Sequence, residues 1–301
     1  MTESPSLLAA LRRQAAADPE SPFLFWPEGW HWRWWSWRQV AELAARWSGP
    51  LAGLPAAAGA GFAADAYPEA IALDYAVQAA GLTPVPMEPG APGAPADLVV
   101  RLEGERPAAL EPRVTWVAAG KAPPAAGEAG VAVVDDAGRW RRLSQAELMA
   151  AAARVESAVG TPPDPRRQPR RREILVAGWP LQHWPARLLA AWAAASGAAL
   201  VLEADPGRRP GTALWARPTV FYGSAADLAL LRRKVEEVRI PRRFGRSRPP
   251  APPLGRLRTL FQAGPPEPAE AAFWQQRGAR LLQLPAMPPA PPAAGTPSGG
   301  P

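Results

Sequence analysis

The sequence has no cysteine and only two histidines, His31 and His183, among its 301 residues. The missing cysteine excludes disulfides, thiol nucleophiles, cysteine-ligated zinc and iron–sulfur clusters. Two histidines leave little for a histidine-based metal site. The most apolar stretch, residues 188–202, is too short to span a bilayer, and the first residues lack the basic and long apolar segments of a signal peptide. These absences predict a cytoplasmic protein without a membrane span.

Arginine supplies nearly all of the positive charge. The net charge is +7 and the isoelectric point is near 10.8. Lys121 and Lys234 are the only lysines, so 32 of the 34 basic residues are arginines. Arginine runs within 166–172 and 242–248 could contact phosphates, which makes a nucleic-acid binder one hypothesis. We favour a solvated basic surface, because no aromatic RNA-binding signature or zinc finger accompanies the charge.

One central stretch, residues 174–205, has the pattern of a strand, a helix and a second strand. Residues 174–177 and 199–202 are short apolar runs, and residues 181–196 place large apolar side chains at helical spacing. Gly197 is placed to end that helix. A crossover of this length favours a parallel pair of strands with a right-handed connection.

The loop that follows the first of these strands carries a candidate binding site. His183 lies there between Trp179 and Trp184. Ligands of open α/β sheets bind at the carboxyl ends of the strands, which is where this loop would lie. A lone histidine is more often a hydrogen-bonded structural residue, so both interpretations stay open.

Tryptophan is concentrated near the N-terminus, where seven of the 14 tryptophans fall between residues 26 and 47. Residues 23–26 and 30–35 predict two strands of a hairpin. The alternating rings could form a stacking face for bases or sugars. The interpretation that we favour is that they cover one face of a small sheet, because burial is the usual role of aromatic area.

An internal repeat relates residues 36–88 to residues 144–203. Each copy predicts a capped helix, a strand, a turn with proline, a helix, a glycine and a short strand that ends at an acidic residue. Both copies open on a capping box, formed by Ser36 with Gln39 and by Ser144 with Glu147. Two similar α/β layers packed together follow from this repeat.

The remaining elements complete an α/β protein of two stacked subdomains with mixed, largely parallel sheets. Residues 97–103 are expected to be helical, and residues 285–301 to be disordered because they are rich in proline, alanine and glycine. The predicted organisation is a first subdomain at 1–127 with the tryptophan-rich hairpin, a second subdomain at 128–287, and a disordered tail at 288–301.

Five segments resemble the N-terminal domain of adenylate-forming enzymes, the AMP-binding superfamily of acyl-CoA synthetases and luciferases. The segments WWSWRQVAELAARW and YPEAIALDYAVQAAGLTPVPMEP are similar to that family's Y-T-W-x-E-L and N-x-P-E…A-G-A-x-x-x-P-L-x-P motifs. The segment PLQHWPARLLAAWAAASGAALVLEAD resembles P-L-x-H…L-x-x-G-A-x-x-V-L, and RPTVFYG resembles K-P-T-x-x-x-G. The fifth segment, LRTLFQAGPPEPAEAAFWQQRGARLLQL, resembles the stretch that begins at the family's S-G-G-A-P.

The resemblance implies an acyl-CoA-synthetase-like fold and an acyl pocket. It places His183 on the motif histidine and puts Tyr222 and Gly223 on the strand that helps to line the pocket. With Trp179 and Trp184 these are the candidate pocket residues.

The nucleotide-binding motifs depart from the family. The glycine- and threonine-rich phosphate loop, which ends in lysine and glycine, is replaced by a segment with Asp135, Asp136 and Gly138. Each aspartate would repel a phosphate by about 4 kcal/mol at ~4 Å and an effective dielectric near 20. The arginines that follow could serve as phosphate partners, but we interpret them as surface residues.

The adenine side also departs from the family. Ala263 and Gly264 fall on its first motif, while LQLPAMPP takes the place of G-Y-G-x-T-E, so the adenine-stacking ring and the magnesium carboxylate are both missing. The family's C-terminal domain, with its catalytic lysine, has no counterpart in the sequence.

The sequence therefore predicts a degenerate member of this superfamily that does not adenylate and needs no cofactor. It would bind an acyl or carboxylate small molecule, or regulate a protein partner from the same enzyme family. The alternative is a residual AMP-dependent ligase that uses ATP and Mg²⁺ together with a separate C-terminal domain. An arginine-based nucleic-acid binder is the third hypothesis.

Overall fold

A computed structural model describes residues 6–64, 68–88, 96–103, 113–118, 130–135, 137–160, 173–177, 180–237, 254–262 and 264–289. The helices in these ranges are α1 Leu7–Ala17, α2 Trp37–Ser48, α3 Glu69–Ala79, α4 Gln145–Val159, α5 Trp184–Ser196, α6 Arg209–Ala216, α7 Ala225–Glu237 and α8 Pro268–Gln275. No helix within them is long and apolar enough to cross a membrane.

The strands form three sheets. They are β1 Pro22–Glu28, β2 His31–Ser36, β3 Gly59–Ala63, β4 Thr83–Met87, β5 Leu98–Glu103, β6 Arg113–Ala118, β7 Gly130–Val134, β8 Trp140–Ser144, β9 Ile174–Ala177, β10 Ala199–Leu202, β11 Val220–Tyr222, β12 Thr259–Gln262 and β13 Arg280–Gln283. The large sheet has the order β13-β12-β11-β9-β10-β1-β2, the second sheet has the order β4-β3-β5-β6, and β7 pairs with β8.

The large sheet is parallel except at one edge. The predicted parallel pair is confirmed, since Ala199 lies opposite Ile174 and Leu202 opposite Ala177. The predicted hairpin is also confirmed: β1 and β2 are antiparallel, and β1 pairs in parallel with β10. Residues 22–36 thus join the same sheet as residues 174–283. The boundary near residue 127 stays a prediction, because residues 119–129 lie outside the described ranges.

Both faces of the large sheet are buried, because successive side chains of a strand point to opposite faces. Leu175 and Leu200 pack into the main core with α1 to α5. Their neighbours Val176 and Val201 pack into a second core with α6, α7 and α8. The second sheet closes the other side of the main core through Ala60, Phe62 and other residues of β3 and β5. The result is two stacked α/β layers with helices α1 to α5 between the sheets.

The second sheet explains two prolines inside a strand. Pro84 and Pro86 lie in β4, which is an edge strand. Proline has no N–H to donate, and an edge strand needs no donor on its free side. The alternate residues can therefore still pair with β3.

The local helix signals are confirmed. Both capping boxes form, with Ser36 and Gln39 at the start of α2 and Ser144 and Glu147 at the start of α4. Gly197 ends α5 in the left-handed conformation, with φ at 76°. The repeat is confirmed as well, since helix, strand, helix and parallel strand recur as α2-β3-α3-β4 and α4-β9-α5-β10.

Two elements differ from the expectation. Residues 97–103 are not helical but contain strand β5, whose Leu98 and Val100 point into the main core. Strand β5 pairs with β3 and gives that strand its second neighbour. The start of the pairing is held by the Asp97 carboxylate, which accepts a hydrogen bond from Gly59 N at 2.6 Å. Helix α6 was not predicted, because its sequence RPGTALWA contains proline and glycine. Tertiary contacts, including an Arg209–Asp227 ion pair at 3.3 Å, hold it.

A buried ion pair joins the second helices of the two repeats. Arg187 of α5 donates from Nη1 to Asp74 Oδ1 of α3 at 2.5 Å, and Gln78 donates to Asp74 Oδ2 at 2.7 Å. The Arg187 side chain is 1% exposed and the Asp74 side chain 5%. Burial raises the pKa of Asp74, against the lowering by Arg187 and Gln78. Each charge depends on the other for its neutralisation.

We expect Asp74→Ala to lower the free energy of unfolding by about 3–5 kcal/mol, because it leaves the Arg187 charge buried without a counterion. Urea unfolding followed by circular dichroism measures the change. The control is Glu28→Ala, which breaks the exposed Glu28–Arg33 pair and should cost at most about 1 kcal/mol. Equal losses in the two variants would contradict the special role of the buried pair.

Candidate functional site

The candidate site lies at the carboxyl edge of the large sheet. Strand β9 has β10 on one side and β11 on the other, so the chain order reverses about β9. Crevices at such reversals are the usual ligand sites of open parallel sheets. The loop after β9, the end of β11 and the end of β13 all meet at this edge.

The loop after β9 is fixed to the end of β7. Val134 N donates to Gln182 O at 2.7 Å, and Val134 forms an isolated parallel bridge with His183. His183 occupies the N-cap position of α5, and its side chain is exposed and makes no cap hydrogen bond. The Gln182 side chain is buried, and its Oε1 has no protein partner among the described residues. Trp179, the other predicted neighbour, lies outside the described residues.

Residues 284–289, which we call the crossing segment, run from the end of β13 across this edge. Trp184 is buried and donates from Nε1 to Pro285 O at 2.9 Å. Arg141 Nη1 of β8 donates to Pro288 O at 2.7 Å. Met287 packs against the main core. The expected disorder does not apply to residues 285–289, because these contacts hold them; residues 290–301 lie outside the described ranges.

The turn between β7 and β8 stands where the resemblance places the phosphate loop, and one carboxylate organises it. Asp135 Oδ1 accepts hydrogen bonds from Ala137 N at 3.0 Å and Arg139 N at 2.9 Å. Its Oδ2 accepts from Arg139 Nε at 3.1 Å. Gly138 N donates to Asp135 O at 2.9 Å. The backbone donors of residues 137, 138 and 139 therefore all serve the turn itself; Asp136 lies outside the described residues.

These hydrogen bonds change the acidity of the carboxyl group. The backbone N–H of Arg139 is the main cause that lowers the pKa of Asp135 below its ordinary value of 3.8, and Ala137 N–H and the Arg139 guanidinium lower it further. Hydrogen bonds to the ionised form always act in this direction. The N–H groups of the turn therefore bind the carboxylate of Asp135, a residue of the same turn.

Arginines near the turn are also engaged by the protein. Arg139 pairs with Asp135, and Arg141 donates to the crossing segment. Arg142 Nη2 donates to Ala57 O at 2.6 Å and to the Thr83 hydroxyl. Arg142 is exposed and Arg141 is half-buried, so the interpretation of Arg142 as a surface residue agrees with the structure, and both side chains also hydrogen-bond to other parts of the chain.

Tyr222 and Gly223 end β11 at the same edge as the His183 loop. Tyr222 is half-buried against the main core. Gly223 N donates to Phe261 O at 3.2 Å. A Cβ on Gly223 would lie 2.7 Å from Asp227 Cβ and 2.8 Å from Phe221 Cε1, so only glycine fits without rearrangement.

The residue after Gly223 has a structural role. Ser224 Oγ accepts from Asp227 N at 3.1 Å, and Asp227 Oδ2 accepts from Ser224 N at 2.8 Å. This reciprocal pair caps the start of α7. Ser224 therefore acts as a helix cap.

The adenine side is only partly described, because Ala263 lies outside the described residues. Gly264 follows β12, and a Cβ there would meet no atom within 4 Å. Gln262 donates from Nε2 to Pro265 O at 2.7 Å, and Leu284 N donates to Gln262 O at 2.9 Å. These bonds tie the β12 loop to the start of the crossing segment.

The tryptophan-rich hairpin agrees only in part with the favoured interpretation. Trp26 and Trp35 pack against the main core, and Trp32 stacks on Trp215 with ring centroids 4.1 Å apart. Trp30 is fully exposed and Trp34 is 48% exposed. The arginine runs at 166–172 and 242–248, on which the nucleic-acid hypothesis rests, lie outside the described residues.

Sequence reasoning missed Asp74, Gln182 and Arg187. A signal was present for two of them, since each charge stands alone in an apolar helical segment, IALDYAV and WPARLLAAW. A charge at a buried helical position requires a partner, so the two could have been paired. Among the described residues, no group of three histidine or acidic side chains could hold a metal ion.

No family profile matches the sequence, and no curated protein matches it. Solved structures do match. The N-terminal domain of FACL13 from Mycobacterium tuberculosis is 16% identical over 93% of this chain and 75% of that chain, with a TM-score of 0.63. The long-chain-fatty-acid-CoA ligase FadD1 from Archaeoglobus fulgidus is 12% identical over 94% of this chain and 64% of that chain, with a TM-score of 0.66.

A third match is VinN, solved in complex with L-aspartate. It is 14% identical over 92% of this chain and 74% of that chain, with a TM-score of 0.67. The chain thus has the fold of the acyl-CoA ligase N-terminal domain, and the resemblance seen in the sequence motifs is confirmed at the level of the fold.

The lowered pKa of Asp135 predicts a pH-dependent contribution to stability. A carboxyl group with a lowered pKa stabilises the fold above its ordinary value of 3.8, and this contribution is lost as the pH falls through the lowered pKa. Asp135→Asn should therefore lower the unfolding midpoint at pH 7, and the difference from wild type should vanish at acidic pH.

Urea midpoints measured from pH 7 down to pH 2 check this expectation. Glu42→Gln, at an exposed position of α2, is the control and should leave the midpoint nearly unchanged at each pH. A deficit of Asp135→Asn that persisted unchanged at the lowest pH would show that the carboxylate charge is not its cause.

Proposed function

We propose that this chain is an adenylate-forming-superfamily protein that does not make acyl-adenylates and instead binds an acyl or carboxylate ligand. The observation that carries the proposal is the Asp135 carboxylate, which takes the backbone donors of its own turn. In a functional phosphate loop such N–H groups must be free for the nucleotide.

Electrostatics argues in the same direction. A phosphate at this turn would replace hydrogen bonds that Asp135 already makes and would meet its negative charge. Two negative charges in contact repel each other, which disfavours a phosphate bound at this position. Arg139 cannot offset it fully, because its guanidinium is already paired with Asp135.

The crossing segment supports the same conclusion on the adenine side. It carries proline and methionine where the resemblance would place a stacking aromatic ring and a magnesium carboxylate. Backbone carbonyls of Pro285 and Pro288 accept hydrogen bonds from Trp184 and Arg141. The segment therefore already has partners from two other elements, and the described residues at this edge do not fit ATP with Mg²⁺.

The residues that remain for a ligand at this edge suit a small apolar carboxylate. His183 is exposed at this edge, Tyr222 is half-buried, and Gly223 is buried at the end of its strand. Ligand sites of this kind combine an apolar lining with a few polar groups. A structural neighbour, VinN, is solved with L-aspartate, which is itself a carboxylate.

Two other functions stay open. A residual AMP-dependent ligase would need the rest of its nucleotide site from a separate C-terminal domain. Regulation of an active relative is compatible with the same fold. A protein that shares the fold of an active enzyme could bind to the surface through which that enzyme contacts its own partner. An arginine-based nucleic-acid binder has no support from the described residues.

The first test is catalytic. The protein mixed with ATP, Mg²⁺ and a panel of fatty, aromatic and amino acids should release pyrophosphate no faster than a protein-free blank, because its phosphate donors are engaged. The control is Asp135→Asn, which keeps the turn but removes the charge and should also stay at the blank. Pyrophosphate release above the blank by the wild type would contradict the pseudoenzyme proposal and favour the residual AMP-dependent ligase.

The second test is ligand binding by thermal shift. A carboxylate at 100 times its Kd should add about 2.7 kcal/mol to the stability. We expect at least one fatty acid to raise the melting temperature of the wild type and to do so less for His183→Ala. His31→Ala removes the only other histidine, which is exposed on β2, and should leave the shift intact.

The outcomes of this second test separate the hypotheses. A shift with AMP but with no carboxylate would favour the residual ligase. No shift with any carboxylate would remove the acyl-binding proposal and leave partner regulation. Equal loss in both histidine variants would mean that the ligand does not bind at the His183 loop.

A further inference from the structure

A small cavity lies behind the His183 loop, where α1, α3 and α5 meet. Its volume is about 10 Å³. Leu7, Ile71, Leu181 and two alanines of α5 give it apolar walls, and Asp74, Tyr75 and Arg187 are its only ionisable lining residues. The cavity is separate from the site proposed above for a carboxylate ligand.

Arg187 brings unsatisfied donors to this cavity. Its Nη1 donates to Asp74, but Nε and Nη2 have no acceptor among the residues that the structure describes. The side chain is 1% exposed, so bulk solvent does not reach these groups. A buried donor without a partner costs about 1–3 kcal/mol, and more when the group is charged. The guanidinium therefore requires an acceptor inside the cavity.

Size decides first which acceptor fits. One water-sized sphere needs ~10–15 Å³ measured in this way. The cavity is at that limit, so a carboxylate or a phosphate, each with several heavy atoms, does not fit.

The charge of the acceptor is the second criterion. A halide would add a second negative charge beside Asp74, whose own charge already neutralises Arg187. Buried charges without partners are strongly disfavoured. The acceptor must therefore be neutral and no larger than one heavy atom.

We infer that the cavity binds a single water molecule. Its oxygen accepts hydrogen bonds from Nε and Nη2 of Arg187, which lie on one edge of the guanidinium. The water thus satisfies the two Arg187 donors that Asp74 leaves unpaired.

The experiment is NMR of the arginine side chains in the full-length ¹⁵N-labelled protein. The Arg187 Nε–H should exchange with solvent on the order of 100-fold more slowly than the Nε–H of exposed arginines. It should also show a cross-peak to water with the sign of a long-lived contact. The peak is assigned by its loss in Arg187→Lys or, if that variant does not fold, by its shift in Asp74→Asn.

Three outcomes would overturn the inference. One is a protected Nε–H without a water cross-peak, which means a dry cavity. Another is a saturable shift of that peak with sodium bromide at constant ionic strength, which means a halide site. The third is fast exchange of every arginine Nε–H, which means that the guanidinium edge is open to solvent. None of these outcomes bears on acyl binding, which the thermal shift tests separately.

Discussion

The Asp74–Arg187 pair is the interaction on which the packing of the two repeats depends. Both residues stand in apolar helices that occupy equivalent places in the two repeats, and both are almost fully buried. Neither charge can be buried alone, because the desolvation penalty would exceed any packing gain. The ion pair therefore sets the register of α3 relative to α5, and α1 contacts both helices.

That register also fixes the edge of the large sheet where the candidate site lies. Helix α5 begins at His183, whose carbonyl accepts a hydrogen bond from Arg187 N at 3.1 Å. The loop before it holds the end of β7, and with it the Asp135 turn. The ion pair, the loop and the turn thus form one continuous chain of contacts from the core to the site.

The Asp135 turn is an anion-binding geometry that a carboxylate of the same turn occupies. Backbone N–H groups that converge on one point favour negative charge. Here a side-chain carboxylate takes those donors, so the geometry stabilises the protein itself. Arg139 adds its own charge to the same carboxylate. A nucleotide would have to displace a group that is covalently tethered beside the donors.

Much of the fold could be predicted, because its signals are local or periodic. The two capping boxes, the parallel pair of β9 and β10 and the repeat all follow from residue type and spacing. The exceptions are elements that local sequence does not favour. Strand β5 forms because β3 needs a second neighbour, helix α6 because ion pairs hold a segment with proline and glycine, and residues 285–289 are placed by donors far along the chain.

The candidate site, like the fold, could be predicted from the sequence only in part. The sequence alone determined that His183, Tyr222 and Gly223 follow strands of one sheet, and its resemblance to the family aligned Asp135 with the phosphate loop. Only the tertiary structure decided that the Asp135 carboxylate takes the donors of its turn, that Trp184 and Arg141 hold the crossing segment, and that Arg187 meets Asp74. The physical reason is that a hydrogen bond or a buried charge selects its partner by distance in space, which residue spacing does not encode.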